Sequence, residues 1–291
     1  MWFYFSFGPY VADDGVATTN HKGLSVSSPA FTLTAPPPGP VPGDVDHPKW
    51  LAFMTHTSSA GYAGFDTEGG YVTSCEARVG GETYGTERNP FGIDADHPAL
   101  AASAFVSADF ETFMIFDFFL TNDRIYALYE RLPYGRTPEN HYASFTHLVP
   151  VATRDRGDMH DLKITYDRSA KTVSWFVGNE KVFTVDRIGF YLPNRGYRAI
   201  DRGGVEQDVG ELKQLVCGFG MFTLHDAYDA EKNKSLVRLV DTPPDYYLHP
   251  VTGGQLEFVD ETSEDGSRLW GQGARISVEK VVVSKSRSKA K

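Results

Sequence analysis

Cysteine is scarce in this chain, and segments that could enter a membrane are missing. Cys75 and Cys217 are the only two cysteines in 291 residues. Both lie in stretches that alternate apolar and polar residues, so we expect each to be a small core residue rather than a disulfide partner. No run approaches the roughly 18 apolar residues that cross a bilayer. The start of the chain, residues 1–10, lacks the basic region and cleavage site of a signal peptide, which predicts a cytoplasmic protein unless a leader is missing.

Acidic residues outnumber basic residues in this chain. The chain has 28 Lys and Arg against 38 Asp and Glu, a net charge of -10. This balance disfavours nucleic acid and anionic membranes as partners and favours a small-molecule or glycan ligand. The one basic run, residues 285–291, follows the last apolar strand, so we expect it to be a disordered tail. The composition leaves the oligomeric state open.

Several motifs of cofactor and metal chemistry are absent. There is no His-Glu-x-x-His, no paired Cys-x-x-Cys, no Gly-rich phosphate loop and no Gly-x-Ser-x-Gly. We therefore predict no cofactor and no catalytic metal. The acidic loops at 13–15 and 94–97 offer few oxygen ligands, so a structural calcium ion is a weak expectation.

Strand signals dominate, and long helical periodicity is nearly absent. Short runs rich in β-branched and aromatic residues, separated by Gly, Pro, Asn and Asp, predict an all-β, two-sheet antiparallel sandwich. We expect a single domain over residues 1–284, with the Pro-rich piece 35–48 as a surface connection. The predicted strands are 23–34, 49–55, 71–79, 105–120, 124–132, 145–151, 161–166, 172–177, 181–186, 212–224, 236–240 and 275–284.

The most informative predicted strand is 105–120, because its alternation places carboxylates on one face. If it is continuous, one face carries Asp109, Glu111, Phe113, Ile115, Asp117 and Phe119. Paired carboxylates in a solvated cleft can push their pKa values apart, as an acid/base site requires. We therefore predict Glu111, Asp109 and Asp117 as catalytic residues. The alternative is a solvated face whose acids pair with Arg or Lys on the next strand.

The following strand supplies candidate substrate contacts. Tyr126 and Glu130 alternate with Tyr129 and Arg131, so either pair could face the same cleft, although cross-strand pairing explains them equally well. Trp175 is a further candidate as an aromatic ring on which a sugar could stack. His225 is another, because it ends a predicted strand and could reach the cleft.

A longer segment carries a family resemblance. Residues 160–183 read as three antiparallel strands with turns at 167–171 and 178–179. They resemble the meander of the concanavalin A-like jelly-roll glucanases of glycoside hydrolase family 16. The resemblance implies a concave sheet with a catalytic Glu-x-Asp-x-(x)-Glu strand, of which this chain retains two carboxylates at 109 and 111. The phrases at 8–15 and 118–126 also resemble an uncharacterised family of bacterial and fungal proteins.

These observations predict a cofactor-independent acid/base enzyme. It would be an isomerase, lyase, cyclase or hydrolase acting on a small or medium polar organic substrate in the concave cleft, with a glycosidic substrate as one option. A non-catalytic, lectin-like carbohydrate- or ligand-binding protein is the alternative, since it accounts equally well for the incomplete carboxylate set. A glycoside hydrolase of the family 16 type is the third hypothesis.

Overall fold

The structure, a computed structural model, describes residues 2–34, 43–239 and 246–288. Short 3-10 turns occupy Gly43–Asp46, Thr86–Arg88, Pro133–Gly135 and Arg195–Tyr197, and a one-turn helix, α1, spans Asp265–Arg268. The strands in these ranges are β1 (Trp2–Tyr4), β2 (Ser6–Phe7), β3 (Tyr10–Val11), β4 (Val16–Asn20), β5 (Gly23–Ser28), β6 (Pro48–Met54), β7 (Phe65–Asp66), β8 (Tyr71–Tyr84), β9 (Ala102–Asp109), β10 (Met114–Leu120), β11 (Arg124–Arg131), β12 (Phe145–Thr153), β13 (Met159–Asp167), β14 (Thr172–Val177), β15 (Glu180–Val185), β16 (Arg198–Asp201), β17 (Gln214–Phe222), β18 (Tyr228–Asp229), β19 (Lys234–Val237), β20 (Phe258–Asp260) and β21 (Gly273–Arg287).

Two antiparallel sheets form the predicted sandwich, which confirms the all-β fold class. The large sheet has the order β1-β6-β17-β9-β10-β11-β12-β16, with β7 added beside β17. The small sheet has the order β15-β14-β13-β8-β21-β5-β4. The meander expected at 160–183 is present as β13, β14 and β15, which pair in sequence. Its second turn contains Gly178 at a φ of 59°, a backbone angle that glycine adopts without strain.

The prediction of a single strand over residues 105–120 is wrong. The structure divides it into β9 and β10, which pair with each other as a hairpin. Residues 110–113 form the turn, and Phe113 adopts a φ of 58° there. Apolar residues continue the alternation through the turn, which is why the sequence pattern shows no break.

The core between the two sheets is apolar, and a disulfide bond crosses it. Phe105, Phe116, Phe118 and Trp175 are among its fully buried members. Cys75 on β8 and Cys217 on β17 form a disulfide between the two sheets, with their Cα atoms 6.0 Å apart. The expectation that the cysteines remain unpaired is therefore wrong. Sequence alternation places each residue in the core but does not show that the two strands face each other.

A second apolar cluster covers the face of the large sheet that points away from the small sheet, here called the outer face. The covering residues come from the β2–β3 hairpin, the loop 85–101 and the segments 224–239 and 246–258. The predicted concave cleft is therefore largely filled rather than solvated.

Two predicted boundaries also change. Val45, Asp46 and His47 are buried, so the end of the connection expected at 35–48 is not on the surface; its residues 35–42 lie outside the described ranges. β21 continues to Arg287, opposite Tyr71, so residues 285–287 are strand rather than disordered tail. Within the described ranges, no helix has the length and apolar character to cross a membrane.

Candidate active site

The two carboxylates expected to lead the site, Asp109 and Glu111, lie in the turn between β9 and β10. Asp109 Oδ1 accepts hydrogen bonds from the Glu111 backbone N–H at 3.0 Å and from the Gln214 side chain, and Oδ2 accepts from the Thr112 hydroxyl at 3.0 Å. This is the hydrogen-bond pattern by which Asp closes a turn. Glu111 forms a surface ion pair with Lys213 at 2.5 Å.

The surroundings of Asp109 and Glu111 shift their pKa values in opposite directions. Burial raises the pKa of Asp109, against its three hydrogen bonds. The hydrogen bond from Lys213 lowers the pKa of Glu111, which keeps that carboxylate charged. Position 113 is Phe, so the third carboxylate of the family 16 pattern is missing at this turn, and Glu111 is paired with Lys213.

A different pair of acids meets on the outer face. Asp117 on β10 and Glu130 on β11 point to the same side, because Asp117 pairs with Leu128 and Glu130 with Ile115. Residues in this diagonal relation are within side-chain reach of each other. Both acids line a cavity of about 70 Å³, here called the acid cavity. Its walls are otherwise mainly apolar, and they include Leu51, Phe53, Val106, Ile115, Phe119 and Leu128.

Both acids of the cavity are well buried. Asp117 is 2% exposed and Glu130 is 7% exposed. Burial, and then the nearby Glu130, raise the pKa of Asp117 well above its usual value. Asp117 accepts a hydrogen bond from the Ser107 backbone N–H at 3.2 Å, and Glu130 accepts one from the Thr146 hydroxyl at 2.5 Å. Burial beside a second carboxyl therefore favours the protonated form of Asp117.

His47, which the sequence did not single out, also lines the acid cavity. Its Nε2 lies 2.7 Å from Asp226 Oδ1, and the other Asp226 oxygen accepts hydrogen bonds from Arg202 at 3.2 Å and Tyr247 at 3.1 Å. Burial opposes the charge of Asp226, but His47, Arg202 and Tyr247 lower its pKa to about 2. Because 179 residues separate His47 from Asp226, no local spacing signals the pair.

The remaining predicted contacts do not join this cavity. Tyr129 and Trp175 lie in the core between the sheets, where the Trp175 indole donates to the backbone oxygen of Asp117 at 2.9 Å. Arg131 stacks on the Tyr142 ring at 3.8 Å. His225 is fully buried, and burial lowers its pKa to about 3, so its ring is neutral.

Tyr126 faces the outer side, as Glu130 does, but lines a separate open groove. This groove, here called the tyrosine groove, holds about 300 Å³ between the loop around Asp96 and the turn around Tyr228. Tyr126, Tyr197 and Tyr228 contribute rings, and the acids include Asp94, Asp123 and Glu231. Burial raises the pKa of Tyr126 to about 12.

In the two acidic loops considered as calcium ligands, carboxylates accept local hydrogen bonds from backbone N–H groups. Asp14 accepts from the backbone N–H groups of Thr32 at 2.5 Å and Leu33 at 2.9 Å, and Asp94 accepts from that of Asp96 at 3.1 Å. Among the residues that the structure describes, no group of three or more His, Cys, Asp or Glu side chains could hold a metal ion.

Comparison with known sequences gives a family and one curated relative. The sequence profile of a family of unknown function (DUF6081) matches residues 1–287. The uncharacterized protein L829 of Acanthamoeba polyphaga mimivirus is 28% identical across 91% of this chain and 80% of its own length.

Comparison with solved structures gives distant carbohydrate-active enzymes. The alginate lyase A1-II' of polysaccharide lyase family 7 aligns with a TM-score of 0.46 and 10% identity, over 94% of this chain and 84% of its own. The endo-1,3-β-glucanase of Streptomyces sioyaensis aligns with a TM-score of 0.42 and 10% identity, over 99% and 97%. Similarity at this level assigns no role to any residue.

Proposed function

The chain belongs to the DUF6081 family, whose function is unknown, and we propose that it is a cofactor-independent acid/base enzyme that uses the acid cavity. The cavity is small and its walls are mainly apolar. Its substrate is therefore a small, largely apolar molecule with a polar reacting group, rather than the polar compound that the sequence suggested.

The pairing of Asp117 and Glu130 is the observation that carries this proposal. Burying one carboxylate is costly, and burying two side by side raises the cost further unless one keeps its proton. A sheet face that served only for packing would be more stable with apolar residues at both positions. Perturbed acids that converge in an apolar cavity are typical of acid/base sites.

The two acids take complementary roles. Asp117, whose pKa is raised by burial and by Glu130, serves as the general acid, and Glu130 serves as the general base. The Thr146 hydroxyl and the Ser107 N–H hold the two carboxyls in position. His47, oriented by Asp226, forms another part of the wall. Such a pair could perform an isomerisation, elimination, cyclisation or hydrolysis.

A proton-exchange assay tests the proposal without knowledge of the substrate. A library of small carbonyl, amine and hydroxyl compounds is incubated with the protein in deuterated water, and NMR detects C–H groups that exchange faster with protein present. We expect wild-type protein to accelerate exchange in some compounds. Asp117→Asn and Glu130→Gln should each lower that rate by about 100-fold or more, the usual effect of losing a general acid or base.

Two further variants make the assay discriminating. Glu180→Gln removes an exposed carboxylate in the β14–β15 hairpin and should leave the rate unchanged. Glu111→Gln removes the acid that the sequence favoured. If Glu111→Gln abolishes exchange while Glu130→Gln does not, the site lies at the β9–β10 turn and the acid cavity is the wrong assignment.

The tyrosine groove favours a second candidate, a lectin-like function. It is open, holds about 300 Å³ and combines three tyrosine rings with several carboxylates. Aromatic rings provide stacking surfaces and carboxylates accept hydrogen bonds from hydroxyl groups, a combination that suits a glycan. The expected result is binding to a subset of oligosaccharides on a glycan array.

Variants of single tyrosines test this second candidate. Tyr228→Ala should weaken binding to any oligosaccharide hit by about fivefold or more, since one ring contact is lost. Tyr62→Ala, which removes an exposed ring outside the groove, is the matched control. If the two variants weaken binding equally, or if no oligosaccharide binds, the lectin-like function is rejected.

A further inference from the structure

The large sheet ends at a short strand made entirely of exposed aromatic residues. This strand, β1, pairs with β6 and, in the described part of the chain, with no other strand. Its side chains are 40% exposed at Trp2, 37% at Phe3 and 45% at Tyr4. Large apolar groups that gather at one place on a folded surface are typical of an interaction site.

The backbone of β1 also has groups that can bond to a further strand. Phe5, which follows β1, donates from its N–H to the backbone oxygen of Leu51 in β6 at 2.8 Å. In an antiparallel pair, alternate residues direct their N–H and C=O groups to opposite sides, so Phe3 bonds toward β6 as Phe5 does. The N–H and C=O groups of Trp2 and Tyr4 therefore point away from β6, toward the open edge.

Other strands at the sheet edges carry charged residues. β15, at one end of the small sheet, begins with Glu180 and Lys181. β16, at the far end of the large sheet, carries Arg198 and Asp201. Charged side chains on an edge strand oppose pairing with a further strand. β1 lacks this protection.

The absence of charge at this edge identifies the partner that fits it. Residues 2–12 contain no Lys, Arg, His, Asp or Glu, and neither does β4, the edge strand of the small sheet. The whole chain has a net charge of -10, so two copies repel each other in general, but contact through β1 brings no like charges together. The complementary partner is therefore an uncharged aromatic strand, and a second copy of β1 is such a strand.

Antiparallel pairing of two β1 strands about a two-fold axis at Phe3 would satisfy the outward backbone groups. Trp2 of one copy would lie opposite Tyr4 of the other, and these two residues would exchange both backbone hydrogen bonds on each side of the axis. Their rings would form cross-strand aromatic pairs. The Trp2 and Tyr4 rings are already held in place, because they contact the rings of Phe219 at 5.4 Å and Trp50 at 6.0 Å.

We propose that two copies of this protein associate through antiparallel β1 pairing, so that the large sheet of one copy continues into the other. The association is independent of the acid cavity and of the function proposed for it. A covered aromatic ring buries roughly 150–250 Å², so the exposed parts of three rings supply roughly 250 Å² per copy. This area is well below the roughly 800 Å² per partner of a stable complex. We therefore expect a weak dimer, with a dissociation constant on the order of 100 μM.

Sedimentation equilibrium of the full-length protein, from about 10 to about 500 μM, tests the association. We expect the weight-average mass to rise with concentration from the monomer value of 32.3 kDa toward twice that value. Hydrogen exchange followed by mass spectrometry should show slower exchange in a peptide that covers residues 2–7 at the higher concentrations, because β1 amides become bonded. A mass that stays at the monomer value over the whole range overturns the proposal.

Variants locate the contact. Phe3→Lys places like charges opposite each other at the axis and should abolish the rise in mass. Tyr4→Pro removes an outward N–H but none of the bonds to β6, and should weaken association by about tenfold or more. Val259→Lys, which replaces an apolar residue that is 46% exposed in β20, is the matched control and should associate as wild type does.

Thermal unfolding confirms that each variant is folded, and one folded variant at the edge suffices. If the protein dimerises but Phe3→Lys associates as well as Val259→Lys, a different surface forms the dimer and the assignment to β1 is wrong.

Discussion

At the scale of single residues, Asp117 illustrates how burial and a neighbouring acid act on one carboxyl. Its backbone oxygen accepts from the Trp175 indole on the opposite sheet, and its side chain is fixed by Ser107. These contacts keep the carboxyl at the cavity, where ionisation is opposed by the apolar walls and by Glu130. The group is therefore a source of pH-dependent stability.

Asp117→Asn should change the pH dependence of unfolding. The folded pKa of Asp117 is raised above its unfolded value, so its favourable contribution is complete below about pH 4 and is lost as pH rises toward the folded pKa. Asn cannot ionise and avoids this loss, while it still accepts from Ser107. Relative to wild type, the variant should gain up to about 1.4 kcal/mol per pH unit across that window.

Urea unfolding of both proteins at several pH values between about 3 and about 8 measures this difference. Asp109 also has a raised pKa, but it is present in both proteins and cancels in the comparison. Parallel curves for wild type and Asp117→Asn would mean that Asp117 is not buried beside Glu130 as described.

At the scale of elements, the meander β13–β15 and the acidic hairpin β9–β10 show what alternation can and cannot predict. The meander was predictable because its turns carry residues with a turn-forming mechanism, such as Asp167, whose carboxylate accepts from the N–H groups of Ser169 and Ala170. The β9–β10 turn uses the same device at Asp109. There, flanking aromatic residues preserve a strand-like alternation and hide the turn.

The candidate site was predictable to the same limited extent. Asp117 and Glu130 follow from period-2 alternation on two adjacent strands, and the structure places both on the outer face. Trp175 and Tyr129 obey the same period, but on faces that pack in the core. Which face is buried against the other sheet depends on the sheet order, and alternation within one strand carries no information about it.

The first turn of the meander allows a direct test of backbone strain. Lys171 ends this turn with a φ of 51°, and its side chain is exposed. A residue with a Cβ pays roughly 1 kcal/mol in this left-handed conformation, whereas glycine does not. The greater freedom of glycine in the unfolded chain offsets about 0.5 kcal/mol or more of this relief, so Lys171→Gly should stabilise the protein by up to about 0.5 kcal/mol.

A second lysine on the same meander is the control. Lys181 is exposed in strand β15, where glycine weakens the strand and brings no relief of strain. Lys181→Gly should therefore lower the unfolding midpoint in urea, in contrast to Lys171→Gly. If both substitutions lower it, the turn does not hold Lys171 in the left-handed region.

At the scale of the whole molecule, the covering of the outer face decides what kind of ligand the protein can take. The carboxylate pattern of the sequence predicts a solvated concave cleft. The structure instead packs long loops on this face of the sheet, through residues such as Phe91, Leu100, Tyr247 and Phe258. These contacts join segments far apart in the chain, so local patterns do not reveal them. They leave the small acid cavity and the open tyrosine groove as separate spaces.

The disulfide links the two sheets at the same scale and bears on the expected cytoplasmic location, which stays a prediction. Disulfides form and persist mainly in oxidising compartments, whereas cytosolic thiols are usually kept reduced. We propose that the protein encounters such an oxidising environment during its folding. Mass spectrometry of protein from its native source, with and without thiol alkylation, would identify the state of Cys75 and Cys217.

Loss of the bridge should destabilise the sandwich as a whole. The bond joins residues separated by 142 positions, so it removes a large part of the conformational freedom of the unfolded chain. On the chain-entropy estimate, a double Cys75→Ala, Cys217→Ala variant should lose up to about 5 kcal/mol in the free energy of unfolding. Urea unfolding under non-reducing conditions measures the loss, and reductant should lower the wild-type midpoint but not that of the variant. Equal midpoints for oxidised wild type and the double variant would mean that the sheets are held by packing alone and that the bond contributes nothing to stability.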